Sequence, residues 1–143
     1  MIFSIIFAII SGISMTIQGV FNTRLSDKIG LWETSVIVQG TAFIFALLLS
    51  FFLKDGSYRA IKDVNKLYLL GGIIGVIITF TVMKSIGSMG ATVGIAIILV
   101  AQLLSAATID AIGLFGSEKI AFNLREILGV IVMLFGIILF KWK

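Results

Sequence analysis

The 143-residue chain is 59% hydrophobic and 13% charged, with a mean hydropathy of +1.20. Soluble domains carry about a quarter charged residues, and a core this small cannot hide so much apolar surface, so the solvent is lipid. Cys and His are absent, which excludes disulfides, thiolate and imidazole catalysis and sulfur-ligated metals, and leaves no enzyme site, metal or cofactor to expect. The net charge of +4 comes from eleven Lys and Arg scattered through every connection, a pattern of membrane orientation and not of nucleic-acid binding.

A spanning helix needs about 20 apolar residues, and five segments meet or approach that length: 2–21, 34–53, 67–83, 91–113 and 124–140. The expected fold is therefore an all-α integral membrane protein, one domain over residues 1–143 with five transmembrane helices. The first segment has no Lys or Arg ahead of its apolar run, unlike a signal peptide, so it reads as a retained span. Along it Ser4, Ser11, Ser14, Gln18 and Asn22 fall within about 80° on a helical wheel. Such a stripe serves either interhelical hydrogen bonding or the wall of a polar substrate path. Gln18 and Asn22 are the residues assigned to the path.

The stretch TRLSDKIGLWE reads as the connection to the second span, with Trp32 at headgroup level and Glu33 in the first helical turn, where the dipole favours an acid. Gln39 beside Gly40 places one strong hydrogen-bonding group next to a small residue, as in the first span. The longest connection, KDGSYRAIKDVNK, is also the most charged, and Asn65 is positioned to cap the third span. Gly71 and Gly75 lie one turn apart, which admits a close neighbour. Thr79 continues on the Gly72 and Gly75 side, and Lys84 ends the span, where it can snorkel to the interface.

The short run Ser85–Gly90 predicts an antiparallel hairpin between the third and fourth spans, and Gly90 and Gly94 repeat the small-residue spacing. The fourth span carries Gln102, Ser105 and Asp110. A helix starting at Ala91 has risen about 30 Å by Asp110, which sets the acid near the far boundary while Gln102 and Ser105 lie deeper in the membrane. Three readings stay open for Asp110, one of them a merely solvated helix end. It pairs with Arg125 across the boundary, or it carries a proton that exchanges with substrate. Asn123-Leu-Arg-Glu126 reads as a capping box at the start of the fifth span. Trp32, Tyr58, Tyr68 and Trp142 all fall near span ends, an aromatic belt that supports the same map.

Five spans put the termini on opposite sides. Lys54, Arg59, Lys62, Lys66, Lys119 and Arg125 gather on one side, against Arg24, Lys28, Lys84, Lys141 and Lys143 on the other. Orientation follows an imbalance of Lys and Arg, and with near-parity either loop proximity or the N-terminal segment decides it, or both orientations insert. The preferred expectation is the second, dual topology: an antiparallel homodimer of ten helices, the inverted-repeat plan of secondary transporters built from two copies.

The run GATVGIAIILVAQLLSAATIDAIGLFGSEKIAFNLREILGVIVMLFGIILF resembles the second half of the YdcZ family in the drug/metabolite transporter superfamily. Gly90-Ala91, Gln102-Leu103, Asp110, Gly113-Leu114-Phe115-Gly116, Arg125 and Gly129 carry the resemblance. Gln18, Asn22, Leu25 and Gln39-Gly40 match its first half more loosely. The sequence departs from the family pattern at Ala111, often His there, and lacks a Pro before the fifth span. The resemblance implies a multi-pass protein of the bacterial inner membrane and an exporter of small molecules, in a family with dual-topology, paired and fused antiparallel members. With so few charges in the spans, a neutral or singly charged amphipathic solute fits a path lined by Gln18, Asn22, Gln39, Gln102 and Ser105. The alternative is a non-transporting subunit or assembly partner.

Overall fold

The computed structural model describes residues 1–53, 56–120 and 123–141; expectations that rest on Lys54, Trp142 and Lys143 lie outside the described residues. The chain forms two compact units, Met1–Gly87 and Ser88–Lys143. The first holds α1 (Ile2–Ile29), α2 (Leu31–Leu53), two 3₁₀ segments (Tyr58–Asp63 and Lys66–Leu70) and α3 (Gly71–Met89) up to Gly87. The second holds α4 (Ala91–Ile112), a 3₁₀ turn (Leu114–Gly116) and α5 (Leu124–Lys141). Among the described residues there is no β-strand.

Four helical stretches are long and apolar enough to cross a bilayer: Ile2–Ile29, Leu31–Leu53, Lys66–Met89 and Ala91–Ile112. Their most apolar windows are 6%, 0%, 11% and 11% buried within the chain, so their apolar exteriors need lipid as solvent. α5 also begins at the expected residue, and Arg125 and Glu126 occupy its first turn. The Asn123 N–H donates to the Glu126 carboxylate, one half of the predicted capping box. Asn65 Oδ1 accepts from the Leu67 N–H at 3.0 Å, which starts the 3₁₀ segment leading into α3.

Two expected connections are helix instead. α1 continues through Thr23–Ile29 for 28 residues, about 42 Å, which exceeds the hydrocarbon thickness of about 30 Å. Arg24, Leu25 and Lys28 in its polar last turns are good helix formers and no Pro or Gly interrupts them before Gly30, so the helix runs on past the apolar segment. α3 likewise reaches Met89. Each connection reduces to one glycine: Gly30 at φ +99°, ψ 159°, and Gly90 at φ +80°, ψ 162°. That backbone region is open almost only to glycine, which is why the helices break there and nowhere nearby.

In the first unit α1 packs on α2 and touches α3 at a close approach. A Cβ on Gly19 would lie 2.8 Å from Ile86 Cδ1 and 3.1 Å from Val82 Cγ1. Ile86 is buried in this contact, and Met83 of the same helix is buried as well. Trp32, at the start of α2, stacks on Phe80 of α3 with ring centroids 4.7 Å apart. In the second unit α4 packs on α5.

Candidate functional site

The best-defined polar contact between spanning helices joins α2 to α3. Gln39 Nε2 donates to Thr79 Oγ1 at 3.1 Å, and the Thr79 hydroxyl donates to the Gly75 carbonyl at 2.9 Å. A Cβ on Gly75 would meet Gln39 Nε2 at 3.5 Å, so the missing side chain at Gly75 makes room for the carboxamide. A Gln side chain has two donors and a two-lone-pair acceptor, and this contact uses one donor. The oxygen and the second N–H of Gln39 therefore remain chemically available on a half-buried residue. Gln39 lies seven residues past Trp32, about 10 Å deeper along the helix.

A second polar group flanks the Gly30 junction. Asn22 and Thr23 of α1 are 8% and 6% exposed, and Thr34 and Ser35 of α2 are 0% and 3% exposed. Thr23 Oγ1 donates to the Gly19 carbonyl at 2.8 Å and Ser35 Oγ to the Leu31 carbonyl at 2.9 Å. Such bonds back onto the preceding turn let a small hydroxyl sit inside a membrane helix. Thr34 Oγ1 is buried without a hydrogen-bond partner, a state that costs about 1–3 kcal/mol. Asn22 was anticipated from the polar stripe; Thr23 and Thr34 were not, and their only signal was a pair of small hydroxyls bracketing a glycine.

The rest of the α1 stripe is uncovered. Ser4, Ser11, Ser14 and Gln18 are exposed along a helix of membrane-spanning length. Gln102 and Ser105 on α4 are exposed as well. Gly94 is buried near the start of α4. Among the described residues nothing lies within 4 Å of a Cβ placed on Gly71 or Gly90. Gly90 thus acts as the backbone junction, and in the single chain it makes no close helix contact.

Asp110 sits half-buried in the last turn of α4, and Arg125 is exposed in the first turn of α5. They form no ion pair within the chain; the pair seen among the described residues is Arg24–Asp27 at 3.7 Å, between two exposed side chains. What holds the α4 terminus is backbone. Gly113 takes the left-handed conformation at φ +74°, ψ 40°, and its N–H bonds the Ile109 carbonyl. The Ile120 N–H returns to the Asp110 carbonyl at 2.9 Å. These bonds satisfy carbonyls that a helix end leaves open. Among the described residues no three acidic side chains gather into a set that could hold a metal.

A family model described as "putative inner membrane exporter, YdcZ" matches residues 3–139, nearly the whole chain. No curated protein and no solved structure matches.

Proposed function

The chain belongs to the YdcZ family of inner-membrane exporters, and from that premise we propose that it exports a small amphipathic molecule by alternating access as an antiparallel homodimer. Each subunit is a single five-span domain, with α5 as the fifth span. The observation that carries this reading is the uncovered polar stripe of Ser4, Ser11, Ser14 and Gln18, together with Gln102 and Ser105. In hydrocarbon such groups lack partners, at a cost of several kcal/mol for each one left unsatisfied. A second copy across a hydrated path removes that cost and puts the same residues where a polar solute passes. The near-equal division of Lys and Arg between the two sides supports both orientations inserting. Gln18, Asn22, Gln39, Gln102 and Ser105 line the path. Gln39 is pre-oriented by Thr79 while keeping free hydrogen-bonding capacity. Asp110 is the proton-coupling candidate, and in the dimer its other role is an ion pair with Arg125.

Reconstitution tests this. A thermal-stability screen over amphipathic metabolites and cationic compounds identifies a ligand, since binding raises apparent stability. Flux of that ligand from proteoliposomes is then measured with and without a proton gradient. Flux that falls more than tenfold in Gln39→Leu or Gln102→Leu, with folding intact, is the expected result. Undiminished gradient-driven flux in Asp110→Asn removes the coupling role. If no stabilising ligand is transported, the non-transporting subunit reading takes over.

A further inference from the structure

The connection between α2 and α3 holds a feature that the export reading does not use. From Tyr58 to Asp63 and again from Lys66 to Leu70 the backbone is 3₁₀, a geometry with three residues per turn in which side chains at i and i+3 eclipse. Tyr58 and Ile61, one such turn apart in the first segment, are 73% and 52% exposed, and Val64, in the extended break after it, is 41% exposed. Arg59 and Lys62 are likewise three apart, Lys66 follows, and Asp63 is the one acid between Gly56 and Lys66. Exposed apolar residues beside the basic Arg59 and Lys62, outside the candidate spans, are the composition of a segment lying in the membrane interface.

The segment also walls a groove of about 980 Å³, the upper end of the size range of small-molecule sites. Ala46, Leu49 and Leu53 of α2 line one side, with Ile61 and Val64 opposite. Positions 46, 49 and 53 share one face of the helix, so this apolar wall extends about 10 Å along the α2 axis. The polar lining, Ser50, Ser57, Tyr58 and Arg59, is held by specific bonds. The Tyr58 hydroxyl donates to Ser50 Oγ at 2.7 Å, tying the connection to α2, and the Arg59 N–H donates to Ser57 Oγ at 3.3 Å.

An apolar trough with a cationic, hydroxyl-bearing rim at membrane level matches one kind of molecule. We propose that this groove binds an anionic phospholipid, with an acyl chain along Ala46, Leu49 and Ile61 and the headgroup phosphate at Arg59, while Lys62, one 3₁₀ turn further on and outside the lining, adds to the positive field. Arg suits phosphate through its planar fork of donors, and a basic residue at a membrane surface contributes about fivefold in affinity for anionic lipid.

The test uses the full chain in nanodiscs of phosphatidylcholine. Trp32 and Trp142 are replaced by Phe, and Ile61→Trp places the fluorophore in the groove while leaving the Tyr58–Ser50 bond in place. Brominated phosphatidylglycerol, titrated in, is expected to quench this Trp at a far lower mole fraction than brominated phosphatidylcholine does. Arg59→Gln with Lys62→Gln is expected to shift the phosphatidylglycerol curve by roughly thirtyfold, from about fivefold for each charge. Equal quenching by the two lipids overturns the proposal, as does a phosphatidylglycerol preference that survives loss of both charges. If the Trp variant fails to fold, native mass spectrometry of the unmodified chain decides. Selective retention of phosphatidylglycerol supports the site, and equal retention of both lipids rejects it.

Discussion

Replacing Gly90 by Ala isolates a backbone effect from every packing effect. Gly90 sits at φ +80°, ψ 162°, and nothing among the described residues lies within 4 Å of the Cβ that alanine would add. The cost is therefore conformational: about 1–3 kcal/mol to hold a non-glycine residue in that region, offset by about 0.4–1 kcal/mol from the stiffer unfolded chain. The net expectation is a loss of about 1–2 kcal/mol. Gly30 has nearly the same backbone, at φ +99°, ψ 159°, but there the added methyl collides with the Glu33 carboxylate. Glu33 occupies the first turn of α2, where an acid gains about 0.3–1 kcal/mol from the helix dipole. Gly30→Ala thus exceeds Gly90→Ala by about that amount, and the gap closes when both are compared in a Glu33→Ala background. Gly40→Ala, inside α2 with open space around it, is the control and is neutral to stabilising. Reversible unfolding in mixed detergent micelles, followed by circular dichroism, measures all four. The argument fails if Gly90→Ala is as stable as Gly40→Ala.

Three further outcomes follow from the site. A double-mutant cycle of Gln39→Leu and Thr79→Val is expected to give a coupling of about 0.6 kcal/mol, the usual size of an interhelical bond in lipid; zero coupling means that the 3.1 Å contact is not energetically formed. Thr34→Val removes a buried hydroxyl with no partner at nearly constant volume. It should raise stability by up to about 1–3 kcal/mol in the same assay, and a loss would show that the hydroxyl is satisfied in the membrane. Because the chain has no Cys, single-cysteine cross-linking is clean. In an antiparallel dimer a residue at one depth meets its copy only near the midplane. Ser11, midway along the apolar part of α1, should therefore link to its own copy with a short bismaleimide. Ser4, about 11 Å from that middle, should link to Gln18 of a partner in a mixed sample and not to itself. Self-linking of Ser4→Cys as efficient as that of Ser11→Cys rules out the antiparallel arrangement.

Hydropathy located the membrane-facing helices because it measures what lipid requires, and the ends of α4 and α5 fall within a residue of expectation. It placed the end of α1 eight residues early and that of α3 six, because Thr23–Ile29 and Lys84–Met89 remain helical after the apolar run has ended. The capping signals at Asn65 and Asn123-Leu-Arg-Glu126 were legible since they act within one turn. Gln39 was identifiable as a strong hydrogen-bonding group in an apolar span, but its partner Thr79 is forty positions away. Which face of α2 meets α3 depends on helix rotation, which the weak amphipathicity of these spans does not encode. The same limit concealed the burial of Thr34. The stripe from Ser4 to Gln18 was legible as a stripe, and only the structure distinguishes its uncovered length from the buried Asn22 at its end.

The two glycine junctions also bear on how an exporter of this design moves. At Gly30 the hydrogen bonding scarcely lapses: the Gly30 N–H bonds the Ser26 carbonyl at 3.0 Å, and the Thr34 N–H bonds the Gly30 carbonyl at 3.1 Å. Gly90 has the corresponding bond from the Gly94 N–H, also at 3.0 Å. Glycine at a helix junction absorbs a change in φ and ψ more readily than any other residue, so in the export reading the turn at Gly30 is a hinge candidate, and these bonds are what its opening must break.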